Sequence, residues 1–179
     1  CPPAIDPLSP NTMAFSPEDA AFVCRQLGID VDRPLITQVS RFDPWKDPIG
    51  VIDAYREVTA QIPEAQLAMV GSMATDDPEG MEYFQKTFEY AGGDEDIKIL
   101  SNLNNVGAIE VNAFQSQSDI CIQKSIREGF GLTVTEALWK GRPTIGGNVG
   151  GIPLQIVDGE GGFLVDSAEQ CAQRCLEIL

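Results

Sequence analysis

Apolar residues along this chain alternate between two spacings, and the alternation predicts most of its elements. Ser16-Pro17-Glu18-Asp19 opens the first helix, with Ser as N-cap, Pro in the first turn and acids against the dipole. That helix is expected to run through Cys24 to Leu27 and stop at Gly28. Pro34–Val39 follows as a short apolar run, a strand buried on both faces. Val51, Ile52, Tyr55, Val58 and Ile62 then recur at helical spacing until Pro63 ends the helix. The pattern continues with a strand at Leu67–Gly71, a helix at Pro78–Tyr90 and a strand at Ile97–Leu100. A helix at Val106–Gln115 and a strand at Ser118–Ile122 come next, then a helix at Leu132–Lys140 and a strand at Pro143–Ile145. A helix near Leu154–Val157, a strand at Gly162–Val165 and a last helix from Ser167, still running at Leu179, complete it.

Strand and helix therefore alternate about six times, the signature of a parallel sheet covered on both faces. The expected fold is α/β, a Rossmann-like domain over residues 16–179. Residues 1–15 carry Pro2, Pro3, Pro7 and Pro10 with little periodicity and read as an extended arm or linker. The chain opens on Cys1 rather than Met, which suggests a piece of a longer polypeptide, truncated at its C-terminus. In such a sheet ligands sit at the carboxyl ends of the strands, so the loops that follow strands hold the informative residues.

Composition narrows the choice of ligand. The 179 residues fit one domain, and 43% apolar with 22% charged residues is a globular balance. No apolar run nears the ~18 residues of a membrane span and no charged-then-apolar leader opens the chain, while the scattered cysteines read as the reduced thiols expected of a cytoplasmic protein. Lys and Arg number 12 against 27 Asp and Glu, for a net charge of −15. Such a surface repels nucleic acid and anionic membranes, and neither is expected as a partner. A phosphorylated ligand would need local cations to overcome that field. There is no histidine, which removes His bases, Cys–His dyads and His-ligated metals. The five cysteines lack the paired spacings of a zinc site, so no metal is expected and reduced, packed thiols are.

Three strand-end loops hold candidate chemistry. In Ser125–Ala137, Gly129 and Gly131 let a ligand approach the backbone, and the helix start that follows offers free N–H groups to an anion. Glu128 can face hydroxyls beside that anion, and Glu136 can accept both hydroxyls of a ribose diol. The plainer reading makes Glu128 a helix cap and Glu136 a solvated surface acid. In Val39–Asp47, Arg41 and Lys46 place two cations five residues apart. They would hold a phosphate, or else pair with Asp43 and Asp47 as surface salt bridges. The glycines of Gly146–Pro153 suit either ligand contacts or a tight structural turn. Neither G-x-G-x-x-G nor G-x-x-x-x-G-K-[ST] occurs, which argues against a nicotinamide enzyme and a P-loop ATPase.

Taken together, Arg41 and Lys46, Glu128-x7-Glu136 around Gly129-Phe130-Gly131, and Gly150-Gly151 resemble the donor-binding domain of retaining glycosyltransferases with the GT-B fold. The resemblance runs in the family's order from Arg41 to Phe163-Leu164-Val165. Within it, Ser40–Pro48, Val70–Gly80 and Ser125–Glu136 are similar to the trehalose synthase family, which joins glucose from a nucleoside-diphosphate glucose to free glucose. Pro2–Leu8 looks like the segment where such enzymes cross from their first domain to their second.

The resemblance implies a role for each matching residue. Arg41 and Lys46 would hold the donor diphosphate and neutralise the leaving group, and Glu128 would touch hydroxyls of the transferred sugar; these three form the expected catalytic set. Gly129 and the backbone amides of Phe130, Gly131, Leu132 and Thr133 would meet sugar and phosphates, and Glu136 the ribose. Residues 101–106 fall where the family contacts the base. The family attacks from the face of departure, and the leaving phosphate takes the acceptor proton, so no histidine and no cofactor are required. The partners implied are the nucleotide-sugar donor, a glucose acceptor and a missing N-terminal acceptor domain, without which the piece would not turn over. The resemblance also leaves room for a homodimer. Trehalose phosphorylase of the same fold, or a non-catalytic nucleotide-binding module, are the competing readings.

Overall fold

The computed structural model describes residues 3–73 and 77–179. Cys1 and Pro2, and the Ala74–Asp76 part of the Val70–Gly80 motif, lie outside the described residues. Six parallel strands form one sheet in the order β3-β2-β1-β4-β5-β6. They are β1 (Leu35–Val39), β2 (Gln66–Gly71), β3 (Ile97–Ser101), β4 (Ile120–Gln123), β5 (Thr144–Gly147) and β6 (Gly162–Val165). The helices between them are α1 (Pro17–Gln26), α2 (Pro48–Thr59), α3 (Pro78–Ala91), α4 (Ala108–Gln117), α5 (Leu132–Trp139) and α6 (Ala168–Ile178). None of them is long and apolar enough to cross a membrane.

Two cores, one on each face, follow from the period-two alternation of the strands. Ile36 of β1, Leu67 and Met69 of β2, Ile120 and Ile122 of β4 and Ile145 of β5 face one way, under α2, α3 and α6. Leu35, Ala68 and Val70 face the other way, packed under α1 and α4 with Phe114. A smaller cluster joins Val134 of α5 to Ile152 and Ile156. The sheet reverses its direction of growth between β1 and β4, and a crevice opens there, beyond the strand ends.

Some expected boundaries shift for identifiable reasons. The helix expected near Leu154–Val157 is instead a single 3-10 turn at Ile152–Leu154, followed by an antiparallel bridge between Val157 and Glu160. Ile152 and Ile156 do point into one cluster, as helical spacing demands, but one turn is enough to achieve that. Gly159 and Gly161, both at positive φ, then turn the chain into β6. The β4 strand starts at Ile120 rather than Ser118, because Ser118 is still the C-cap of α4 and its N–H donates to the Phe114 carbonyl at 3.0 Å.

Within residues 3–15 the chain makes turns with no helix or strand, and side chains of α4 and α5 hold it down. Asn112 donates to the Pro10 and Met13 carbonyls, and the Trp139 indole donates to that of Thr12.

Candidate functional site

Two loops meet at the switch point, one after β1 and one after β4. The first is built by Asp43, whose carboxylate accepts the Trp45 and Lys46 N–H groups at 3.0 and 3.1 Å and so caps the 3-10 turn Pro44–Lys46. Phe42 anchors it, buried edge-on against Phe84 with ring centroids 4.9 Å apart. The two loops are joined through backbone: the Ile126 N–H donates to the Trp45 carbonyl at 2.9 Å. The Arg127 guanidinium lies 5.1 Å over the Trp45 ring.

This framework places Lys46 against Glu128. The Lys46 ammonium pairs with Glu128 Oε2, two residues 82 apart in sequence, and both side chains are largely withdrawn from water. The same oxygen accepts Gln123 Nε2 at 3.3 Å and the Ser125 hydroxyl at 3.2 Å, while Oε1 accepts the Gly129 N–H at 3.0 Å. Burial raises the Glu128 pKa, but Lys46, Gln123 and the Gly129 N–H outweigh it and hold the carboxyl below its usual range. Glu128 is not the cap of α5, whose start at Gly131 has no side-chain cap. The N–H groups of Leu132 and Thr133 lie in the first turn of α5, where a helix has no internal acceptor to give them.

Arg41 is placed differently. Its side chain is 68% exposed and pairs at 3.1 Å with Asp43, as the plainer reading supposed for this residue. It still lines the cleft, where a long side chain can swing. Glu136 is buried at 8% exposure and is therefore no solvated surface acid. Desolvation pushes its pKa up, opposed by Lys140, Asn11 and Gln115.

Two adjoining cavities occupy the strand ends. One, ≈540 Å³, is lined by Arg41, Lys46, Gln123, Glu128, Phe130, Gly131, Leu132 and Thr133. The other, ≈420 Å³, is lined by Glu136, Asn11, Asn102, Val106, Gly71 and Ala108 among others. Val39, Ser40, Arg41 and Thr133 border both, so they form one cleft with a charged end and a more apolar end. The segment 101–106 contributes Asn102 and Val106 to the apolar end. The Asn102 side chain is itself occupied, accepting from the Met73 N–H at 2.7 Å and donating to its carbonyl at 3.1 Å. A third cavity, ≈530 Å³, lies between the arm and Trp139–Arg142, away from the carboxyl ends of the strands.

The chain matches the model of "Glycosyl transferases group 1" over residues 21–179. It belongs to that family. It is 62% identical over 178 residues to the trehalose synthase of Rubrobacter xylanophilus, covering 99% of this chain and 42% of that one. With the trehalose phosphorylase of Pleurotus sajor-caju it shares 34% over 156 residues, 78% of this chain and 20% of that one. Among solved structures, the sucrose-phosphate synthase of Thermosynechococcus elongatus superposes with a TM-score of 0.73 at 29% identity, over 88% of this chain and 39% of that one. The chain thus spans less than half the length of these relatives, in their C-terminal part, and shares the GT-B architecture of its family.

Sequence reasoning missed three neighbours of this group 1 site, Gln38, Gln123 and Lys124, which brace Lys46, Glu128 and Asp47 through hydrogen bonds and an ion pair. Asp47, expected as a surface partner of Arg41 or Lys46, pairs instead with the buried Lys124. A signal was present: β1 and β4 are apolar through most of their length yet carry Gln38 near the end of one and Gln123-Lys124 at the end of the other. Polar side chains in buried strands need partners, and here the partners are the site loops.

The glycines of 146–151 serve packing first. A Cβ on Gly147 would collide with the Ser125 carbonyl, and one on Gly151 would lie 2.8 Å from Phe130 Cα. The Gly151 N–H donates to the Gly129 carbonyl at 2.8 Å, so this loop is the bed on which the Glu128–Gly131 turn rests.

Proposed function

We propose that the chain is the donor-binding domain of a retaining glycosyltransferase that moves glucose from a nucleoside-diphosphate glucose to glucose, forming trehalose. The observation that carries this reading is the convergence of Lys46, Arg41, Glu128 and the uncapped start of α5 on one cleft at the sheet's switch point. In an acidic chain this is where an anion can be held, beside a carboxylate suited to sugar hydroxyls. The ≈420 Å³ arm of the cleft, with Glu136 at its border, takes the nucleoside. Identity to a trehalose synthase over nearly the whole chain supports the choice of sugars.

In this scheme the acceptor hydroxyl attacks the anomeric carbon from the face that the diphosphate leaves. The bond from carbon to diphosphate oxygen breaks, the bond to the acceptor oxygen forms, and the acceptor proton passes to the departing phosphate. The protein supplies charge rather than a base or a metal: Lys46, Arg41 and the α5 amides stabilise the negative charge that grows on the diphosphate. The acceptor belongs to a second, N-terminal domain that completes the enzyme, and the 179-residue piece alone does not turn over. The resemblance to a trehalose phosphorylase supports a second reading, in which phosphate and glucose 1-phosphate replace the nucleotide. The test is a product assay with the full-length protein, glucose and several nucleoside-diphosphate glucoses. Trehalose released with nucleoside diphosphate is the expected result; phosphate-dependent breakdown of trehalose to glucose 1-phosphate would establish the second reading instead.

A further inference from the structure

The Lys46–Glu128 pair has a companion. Lys124, four residues before Glu128, pairs through its ammonium with Asp47 Oδ2, and Asp47 follows Lys46 directly. Two crossed ion pairs thus tie the β1 loop to the β4 loop: Lys46 to Glu128, and Asp47 to Lys124. The Lys124 side chain is only 7% exposed and borders neither cavity of the cleft, so it touches no ligand there. A buried ammonium is costly unless paired, and Asp47 is its one ion-pair partner among the described residues.

Asp47 is the hinge of this arrangement. Its backbone is left-handed at φ 49 and ψ 51, a conformation that residues other than glycine seldom adopt. That turn ends the 3-10 segment carrying Lys46 and starts α2. Both carboxylate oxygens are committed: Oδ1 accepts the Gly50 N–H at 3.1 Å, and Oδ2 takes Lys124. On the other side, the Lys46 carbonyl accepts Gln38 Nε2 at 2.8 Å, from a side chain buried at 2% exposure. The Lys46 main chain is therefore gripped before its Cα by Asp43, which accepts its N–H, and after it by Gln38 and the Asp47 turn, and its ammonium is delivered to Glu128.

We infer that Lys124 is a positioning residue, which acts through Asp47 to hold the Lys46 ammonium in the cleft. The consequence for turnover rests on the transferase reading above, but the geometric consequence does not. A shift of about 1 Å in a charged group can cost ~100-fold in rate while leaving ground-state binding nearly intact.

The deciding experiment is a carboxyl ¹³C titration of Glu128 in full-length wild type, Lys124→Met, Asp47→Asn and Lys124→Arg. If Lys46 leaves its place, Glu128 loses its cation and its midpoint moves up. The two neutralising variants remove charges of opposite sign, so a direct field effect would move Glu128 in opposite directions. An upward shift in both, with little change in Lys124→Arg, supports the proposal. An unmoved midpoint in Lys124→Met or Asp47→Asn overturns it, whatever the activity does. Asp47→Asn keeps an oxygen for the Gly50 cap and decides the matter even if Lys124→Met fails to fold. In parallel, kcat in both neutralising variants is expected to fall at least ~10-fold with donor KM within ~3-fold of wild type. If the wild type shows no transfer, the transferase reading fails, and the titration still tests the positioning role.

Discussion

The backbone of Gly150 lies directly against the carbonyl of Glu128, so close that a β-carbon on Gly150 would collide with that oxygen. Gly150 is also at φ +58, a region that side chains disfavour. Gly150→Ala therefore combines strain of ~1–3 kcal/mol with displacement of the Glu128 turn. Urea unfolding of this variant is expected at a lower midpoint than wild type. Gly159→Ala is the control: it shares the positive φ of 84° but meets nothing within 4 Å. Equal midpoints for the two variants would mean that the collision costs nothing.

Lys46→Ala in the full-length protein is expected to cut turnover by more than tenfold, because about 2–4 kcal/mol of transition-state charge stabilisation is lost. Arg41→Ala is expected to do the same, although its guanidinium now rests on Asp43 in solvent. The Arg41 side chain is 68% exposed, so it is free to swing from Asp43 to a diphosphate. Steady-state rates of both variants check this, and a wild-type rate in Arg41→Ala would leave Lys46 as the sole side-chain cation of the mechanism.

Glu136 and Glu128 sit at opposite ends of the cleft. Glu136→Gln is expected to weaken binding of a nucleoside diphosphate, and Glu128→Gln to lower the rate with little effect on that binding. Calorimetric titration of UDP or ADP into each variant makes the comparison. Equal weakening in both would show that the sugar end and the nucleoside end are not separate.

Acid should reveal the Glu128 pairing. Its carboxyl is held below the usual range in the folded chain, so ionised Glu128 stabilises the fold at any pH above the unfolded-state value. That contribution is lost as the pH falls through the depressed folded value. Glu128→Gln is therefore expected to be less stable than wild type at neutral pH, with the gap closing in acid. Urea midpoints from neutral pH down into the acid range check the trend; a gap that widens in acid would reverse the sign assigned to Glu128.

Much of this was legible in the sequence because each element carried its own punctuation. Ser16-Pro17 and Ser167 cap helices as their residue types suggest, and Pro34 and Pro63 bracket β1 and α2. The strand-end rule then brought Arg41, Lys46, Glu128 and Glu136 to one edge of the sheet. Pairing was not legible. Nothing local says that Lys46 meets Glu128 rather than its neighbour Asp47, since that choice depends on the β1–β4 register, which sets Gln38 beside Ile122. Lys124 escaped notice for the same reason: its partner lies 77 residues away in sequence, across a strand pairing that only the folded sheet creates. The Gly150 contact with Glu128 is likewise a packing fact, invisible until two loops from different strands are laid together.

The 179-residue chain should fold by itself yet transfer nothing. Six parallel strands carry a continuous apolar core on each face, and residues such as Ile36, Leu67, Phe114 and Ile145 are fully buried without help from any other domain. A chain of this length hides roughly two-thirds of its extended surface, enough for independent stability. Catalysis asks for more. The acceptor must be oriented against the anomeric carbon and water kept away, and orientation alone can account for several kcal/mol of the barrier. The cleft described here offers cations, a carboxylate and helix amides to a donor, but the acceptor is assigned to a second domain. Circular dichroism with cooperative urea unfolding is expected to show a folded α/β domain, and a donor–acceptor product assay on the same sample is expected to show no trehalose. Trehalose formed by this chain at a rate near that of the full-length protein would mean that the acceptor binds on the donor domain itself.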